Sequence, residues 1–301
     1  METSQKNGFD IGRIIMSSCD SCKSKESCGS ASSGSCPSDK EQESASLIAK
    51  MHNGSSIKKV IGICSGKGGV GKSLVTSVIA SKLAREGYKV GILDADVTGP
   101  SIPKAFGLKG QLKGSGEGII PAVSHSGIQI VSVNLLMDNE EAPVLWRGPV
   151  IAGVVKQFWT DVIWKEVDVL LIDMPPGTGD VPLTVFQSIP LDGIILVSTP
   201  QDLVTMVVNK ARNMALMMKV KVLGFVENMS YITCSHCGER QLIFGEGGVD
   251  KAAAELNVPV FDKVPVDPYV TALVDSGEIE KINTDILDNT VKFIAELINK
   301  K

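Results

Sequence analysis

Ile57-Lys58-Lys59-Val60-Ile61-Gly62-Ile63-Cys64-Ser65-Gly66-Lys67-Gly68-Gly69-Val70-Gly71-Lys72-Ser73 decides the fold. Its first part, Ile57–Cys64, is an apolar run that predicts a strand. Its second part, Gly66–Ser73, satisfies the pattern G-x-x-x-x-G-K-[ST], and a helical stretch follows through about Glu86. Strand, glycine loop and helix in that order predict a phosphate-binding loop. The glycines let backbone N–H groups turn inward around phosphates, and the helix N-terminus presents its dipole to the same charge. On this reading Gly66, Lys67, Gly68, Gly69, Val70, Gly71, Lys72 and Ser73 cradle the phosphates of ATP. Lys72 reaches the β- and γ-phosphates, and Ser73 ligates Mg2+. A chance glycine-rich turn is the plain alternative; the flanking strand and helix argue against it.

Outward from this loop the same alternation continues. Lys89–Leu93, Ile128–Val133, Val167–Ile172, Gly193–Val197 and Val220–Val226 read as strands. Val167–Ile172 and Gly193–Val197 are nearly continuous apolar runs, the pattern of strands buried on both faces. Helices are expected near Pro149–Trp164 and over Asp202–Met218, with helix, strand and helix to the C-terminus. The alternation predicts a single α/β P-loop NTPase domain over residues 51–301, a mostly parallel sheet covered by helices on both faces. Residues 1–50 are expected to be a flexible Cys-rich N-terminal tail. Residues 17–46 are rich in Ser, Cys, Gly, Lys and Glu, with too little apolar surface to offset ordering entropy.

Bulk properties narrow the function. A net charge of −4 gives no basic field for nucleic acid or acidic lipid. No apolar run reaches the roughly 18 residues a bilayer span needs. Met1–Asp20 holds only the short apolar patch Ile14–Met16, not the apolar core of a signal peptide. A cytoplasmic protein with no nucleic-acid and no membrane partner is expected. Ile286–Lys300 has apolar residues at helical spacing but lacks a basic polar face, which predicts docking on its own domain.

Two acidic segments end predicted strands, Leu93-Asp94-Ala95-Asp96 and Leu170-Leu171-Ile172-Asp173. A carboxylate at Asp173 can hold Mg2+ through its water shell. Met174–Asp180 then reads as a loop that senses the γ-phosphate, with Gly177 able to approach phosphate closely. For either aspartate alone, a turn or cap is the alternative. The seven cysteines fall into groups: Cys19, Cys22, Cys28 and Cys36 in the tail, Cys64 on the first strand, and the pair Cys234-Ser235-His236-Cys237. Cys64 reads as a buried, inert thiol. Clustered cysteines in a reducing compartment suggest metal or redox chemistry before disulfides. Two thiolates spaced C-x-x-C grip one metal, yet zinc or a cluster normally takes four protein ligands. One subunit offers two, or three with His236, whereas a symmetric dimer supplies four thiolates at its two-fold axis.

The second loop lysine, Lys67, makes the segment resemble the deviant Walker A class, which includes MinD, ParA and the nitrogenase iron protein. The resemblance implies an ATP-dependent homodimer in which Lys67 crosses to the partner's nucleotide; a solvated loop lysine is the alternative. It further implies that Asp96 positions the attacking water while Asp94 caps the strand end, so that Lys67, Lys72, Asp96 and Asp173 form the catalytic set. Asn228 corresponds to an adenine-binding asparagine, with an ordinary turn asparagine as competitor. Across about residues 57–280 the match sharpens. Cys64–Ser73, Asp94–Pro103, Trp146-Arg147-Gly148-Pro149, Asp173–Asp180, the Cys234/Cys237 pair, Gly245–Gly248 and Val264-Pro265-Val266-Asp267-Pro268 together resemble the Mrp family of iron–sulfur cluster carrier ATPases. That resemblance implies a 4Fe–4S cluster bridging a dimer on Cys234 and Cys237 and passed to apo iron–sulfur proteins, with slow ATP hydrolysis tuning loading or release. The spacing Cys19-x2-Cys22-x5-Cys28 resembles the N-terminal cluster motif of longer members. Those members place a further cysteine upstream, whereas here Cys36 lies downstream; zinc or free thiols are the alternative. Three other functions compete. A MinD/ParA-type positioning ATPase acting on membrane or DNA is disfavoured by the C-x-x-C pair and the missing basic element. A nitrogenase-iron-protein-like electron donor is disfavoured because Asp173–Asp180 holds no cysteine. A zinc-stabilised ATPase is separated by metal analysis.

Overall fold

Val60, Ile61, Ile63 and Cys64 are all buried, so β1 (Ile57–Ser65) has no solvent face over its C-terminal half and belongs inside a covered sheet. The computed structural model describes residues 48–96, 101–114, 116–136, 148–201, 219–245 and 247–300. In it β1 leads into α1 (Lys72–Arg85), β2 (Val90–Asp94) and the short α2 (Ser101–Ala105). The small strands β3 (Lys113–Gly114), β4 (Ile119–Ile120) and β5 (Ala122–Val123) precede β6 (Gln129–Ser132). Next come α3 (Gly148–Thr160), β7 (Val167–Asp173), α4 (Asp180–Ser188), β8 (Gly193–Ser198) and β9 (Val222–Glu227). The hairpin β10 (Ile232–Thr233) and β11 (Arg240–Gln241) is followed by α5 (Val249–Leu256), β12 (Val260–Lys263), α6 (Pro268–Asp275) and α7 (Asp288–Asn299).

Eight strands form one sheet in the order β12-β9-β8-β1-β7-β2-β6-β5. Every pairing is parallel except the edge pair β5–β6. β1 lies between β7 and β8, and the register sets Ile63 opposite Asp173 and Asp94 opposite Asp173. The period-two alternation of β1 feeds two cores. Val60 and Cys64 join Val155, Phe158, Val185 and Val249 of α3, α4 and α5 on one face. Ile61 and Ile63 join Val75, Ile79, Ile102, Val270 and Ile294 of α1, α2, α6 and α7 on the other. This is the mostly parallel, doubly covered sheet that the alternation predicts.

Beyond shifts of a residue or two at strand ends, two differences from the sequence reading have a physical reason. The helix expected over Pro149–Trp164 stops at Thr160. Val162 instead forms an isolated bridge with Ile119, with Ile119 N donating to Asp161 O (2.8 Å) and Ile163 N to Ile119 O (2.9 Å). Strand-like pairing outside the helix satisfies these groups better than another turn would, since Val162 and Ile163 are β-branched. The hairpin β10–β11, too short for any periodicity, is the second difference. The helix expected over Asp202–Met218 lies outside the described residues.

α7 docks on its own domain, as expected from apolar residues at helical spacing without a basic polar face. Thr290, Val291, Ile294 and Ile298 are buried, and the Phe293 ring centroid lies 4.7 Å from that of Phe261. Asp262 accepts from Thr290 N at 2.8 Å, and Lys82 donates to Ile286 O at 2.7 Å, which anchors the start of the helix. Among the described residues no helix is long and apolar enough to cross a membrane.

Candidate functional site

The C-terminal ends of β1, β2 and β7 meet at the P-loop, the place where open parallel sheets bind ligands. Gly69 and Gly71 have φ of +78° and +80°, a region that side-chain-bearing residues rarely adopt. A Cβ at residue 71 would stand 2.2 Å from Asn228 Nδ2, so any larger residue must displace the amide that donates to Val70 O. Gly71 is also the N-cap of α1, which has no side-chain cap and no acid in its first turn. Its free N–H groups and positive dipole end therefore face an anion-compatible cavity of about 310 Å3, lined by Lys67, Gly68, Gly69, Lys72, Ser73, Asp96 and Pro176.

Asp173 is the hub of the polar contacts. Fully buried at the end of β7, it accepts from Ser73 Oγ (2.6 Å) and Thr76 Oγ1 (2.9 Å), and Lys72 Nζ lies 2.8 Å from its Oδ1. Lys72 Nζ is also 3.5 Å from Asp96 Oδ2. Burial pulls the Lys72 pKa down, but Asp173, then Asp96 and Asp94, outweigh it and hold the ammonium above its usual value. Asp94 has a different part. It accepts from Ser132 Oγ at 2.8 Å and from Asp96 N at 3.1 Å, so it shapes the turn that presents Asp96. Burial, followed by the charge of Asp173, pushes its pKa well above the carboxylate range. Beyond β7, Gly177 takes φ +84° and donates its N–H to Ser65 O at 3.0 Å, which brings the loop Met174–Asp180 back against β1.

The remaining expected residues have definite places. Lys67 donates to Gln201 Oε1 of its own chain. Asn228 is buried; its N–H donates to Ser198 O (2.7 Å) and its side-chain amide to Val70 O (2.9 Å), so it packs against the P-loop from beneath. Cys64 is buried on β1, and burial pushes its thiol up to about 12. Cys234 and Cys237 stand on the turn of the β10–β11 hairpin. Cys234 N donates to Glu239 O and Gly238 N to Cys234 O, both at 2.9 Å. Cys237 is exposed and Cys234 half-buried, and both are free thiols. Hydrogen bonds from the Cys237 and His236 backbone, then from the Cys237 side chain, hold the Cys234 pKa below its usual value. Among the described residues no three His, Cys, Asp or Glu side chains group as metal ligands, His236 included. Cys19, Cys22, Cys28 and Cys36 lie outside the described residues.

Sequence reasoning passed over Thr76, Ser132, Gln201 and Ser230. Thr76 was findable, since it lies one helical turn after Lys72 on the same face. The other three come from distant segments and carry no local signal.

A protein-family model described as ParA, NUBPL iron-transfer P-loop NTPase, matches residues 56–299. The chain belongs to this family. Among its curated relatives, the iron-sulfur cluster carrier protein of Clostridium perfringens is 45% identical over 276 residues, covering 88% of this chain and 94% of the relative. A nucleotide-binding protein of Archaeoglobus fulgidus, solved in complex with ADP and with cobalt, superposes on this NUBPL-type NTPase with a TM-score of 0.68 at 45% identity, covering 76% of this chain and 90% of that one. The cell division ATPase MinD of Pyrococcus furiosus has a TM-score of 0.58 at 21% identity, covering 80% of this chain and 98% of that one, a likeness of fold.

Proposed function

We propose that this chain is an ATP-dependent iron–sulfur cluster carrier: two copies hold a 4Fe–4S cluster between their Cys234 and Cys237 pairs and pass it to apo-proteins in the cytoplasm. The observation that carries the reading is a two-thiol half-site, exposed on a hairpin of its own, in the same chain as a complete P-loop. Two thiolates leave a four-ligand cluster unsatisfied, and a second copy related by a two-fold axis completes it. Leu242, Ile243 and Phe244, exposed directly after the hairpin, offer apolar surface for that copy to cover. The naming of relatives as cluster carriers points the same way.

The nucleotide side fits ATP with Mg2+. The cavity combines an uncapped helix N-terminus, positive-φ glycines and a buried cation, a set that suits phosphate. Ser73 Oγ and the Asp173 carboxylate, 2.6 Å apart at its edge, are the hard oxygen donors that Mg2+ prefers. When bound, Mg2+ neutralises charge on the transferring phosphoryl group. Lys72 holds the β- and γ-phosphate oxygens, and Asp96 orients the water that attacks the γ-phosphorus. The new bond is water oxygen to phosphorus; the bond broken is that to the β–γ bridging oxygen, and ADP and inorganic phosphate leave, the water's proton passing to phosphate oxygen or solvent. Lys67 reaches the nucleotide of the second copy. Hydrolysis is slow and tuned to loading or release of the cluster. The tail cysteines Cys19, Cys22, Cys28 and Cys36 provide a second cluster site in residues 1–50, ahead of the ATPase domain.

Anaerobic reconstitution with iron and sulfide tests the reading. The wild type should gain a brown chromophore as a dimer, and a Cys234→Ala/Cys237→Ala variant should lose that bridging share while iron held by the tail remains. Purified protein that carries zinc or no metal, with no cluster on the pair after reconstitution, would falsify the carrier function.

A further inference from the structure

One short segment, Glu227–Tyr231, joins the phosphate loop to the cysteine hairpin. At its start the Glu227 carbonyl accepts from Val264 N at 2.8 Å. Asn228 then reaches the phosphate loop through its side-chain amide, 2.9 Å from Val70 O, and occupies the space left by the missing side chain of Gly71. Met229 follows with φ +56°, a left-handed backbone that a long side chain adopts only when its surroundings impose it. Ser230 locks the turn from inside. Its N–H donates to Val264 O (2.9 Å), and its hydroxyl lies 2.8 Å from both Glu227 O and Glu227 Oε1. Glu227 and Ser230 are 3% and 2% exposed, so neither contact is softened by solvent. Tyr231 O accepts from Val266 N at 2.9 Å, and its ring lies 4.6 Å beneath the Arg240 guanidinium of the opposing strand. β10 begins at the next residue and ends at Thr233, directly before Cys234.

From Val70 to Cys234 every link is therefore a covalent bond or a hydrogen bond, with no glycine joint between Asn228 and Cys234. We propose that Glu227–Tyr231 is the coupling element between the two sites, with Ser230 its lock: filling of the P-loop shifts the Val70 carbonyl, Asn228 follows, and the locked turn re-aims Cys234 and Cys237. Ser230 is a positioning residue, touching neither nucleotide nor cluster. The idea rests on the carrier reading above and adds to it the route by which nucleotide changes the grip of the cysteine pair.

The test uses full-length, cluster-loaded protein challenged anaerobically with an iron chelator, with and without ATP and Mg2+. Cluster loss is followed by visible absorbance, and ATP affinity is titrated in parallel. In the wild type, nucleotide should change the rate of cluster loss by about fivefold or more, the lower end of ordinary coupling between sites. Ser230→Ala should bind ATP like the wild type yet lose that change, and Ser230→Thr, which keeps the hydroxyl, should restore it. Met229→Gly relaxes the left-handed position and introduces a joint without removing a hydrogen bond. It should also blunt the response, and it stands in if Ser230→Ala does not fold. A wild type that loads no cluster on the pair counts against the carrier reading, and the coupling falls with it. A wild type that loads cluster but ignores nucleotide, or variants that respond as fully as the wild type, overturn the coupling alone.

Discussion

Cys64 and Cys234 carry the same thiol into opposite surroundings. Cys64, between the buried neighbours of β1, was legible as an inert thiol because its flanks are apolar. The structure gives the physical reason, since burial lifts its pKa to about 12. The free thiol of an unfolded chain ionises near 8.5. Between about pH 8.5 and pH 12, the unfolded chain thus releases a proton that the native protein retains. The contribution of Cys64 to stability is whole below that window and falls as pH rises through it. Replacing Cys64 with Ala removes this term, so the variant should gain on the wild type between pH 7.5 and pH 10 in denaturant unfolding. An unchanged gap between the two proteins would show that Cys64 is not shielded as described. Lys72 shows the limit of residue-level reading. Its role follows from the motif, but its grouping with Asp96 and Asp173, from three separate strands or loops, does not.

At the scale of elements, the phosphate loop and α1 form one device. Four of the described helices carry an acid that suits the positive end of a dipole: α4 with Asp180, α5 with Asp250, α7 with Asp288, and α6 after its N-cap Asp267, whose side chain accepts from Tyr269 N at 2.8 Å. α1 begins with glycine and lysine and leaves its N–H groups for a ligand. Gly71 sits at the junction. Gly71→Ala forces an L-residue into the left-handed region, at about 1–2 kcal/mol. It also drives a Cβ to 2.2 Å from Asn228 Nδ2. Calorimetry should find a lower unfolding temperature and ATP affinity reduced by about tenfold or more, since each 1.4 kcal/mol is a factor of ten. Gly69→Ala meets the same backbone strain but open space around its Cβ, and should cost less stability. Equal stability losses at the two positions would refute the steric argument. The glycine pattern of this element was plain in the sequence; which glycine is sterically locked was not, because the locking atom comes from Asn228.

At the scale of the whole domain, the packing of the terminal helix bears on function class. An amphipathic C-terminal helix can serve a membrane surface or its own core. Here α7 buries Val291, Ile294 and Ile298 against the sheet, and its first turn is tied to Asp262 of β12. The apolar face is in use, and the helix has no basic polar face to replace it. ATP-loaded protein mixed with anionic liposomes should therefore stay in the supernatant on sedimentation at physiological salt. Pelleting with the vesicles would revive the positioning-ATPase alternative and require α7 to leave the core.

The sequence by itself determined the α/β class, the phosphate loop, the acidic strand ends and the C-x-x-C pair, because each depends on local rules. Continuous apolar runs mark doubly covered strands, glycine spacing marks the loop, and two thiols three positions apart have the spacing of a metal-binding pair. Only the tertiary structure decided what meets what. Asp94 lies opposite Asp173 because β2 and β7 are sheet neighbours though far apart in the chain. α3 stops early because Ile119, some forty residues before, pairs with Val162. Asn228 and Ser230 lie between the phosphate loop and the cysteine hairpin because the parallel strands β1, β8, β9 and β12 all end on the same side of the sheet. These contacts are free energies between segments distant in sequence, and no periodicity or spacing along the chain encodes them.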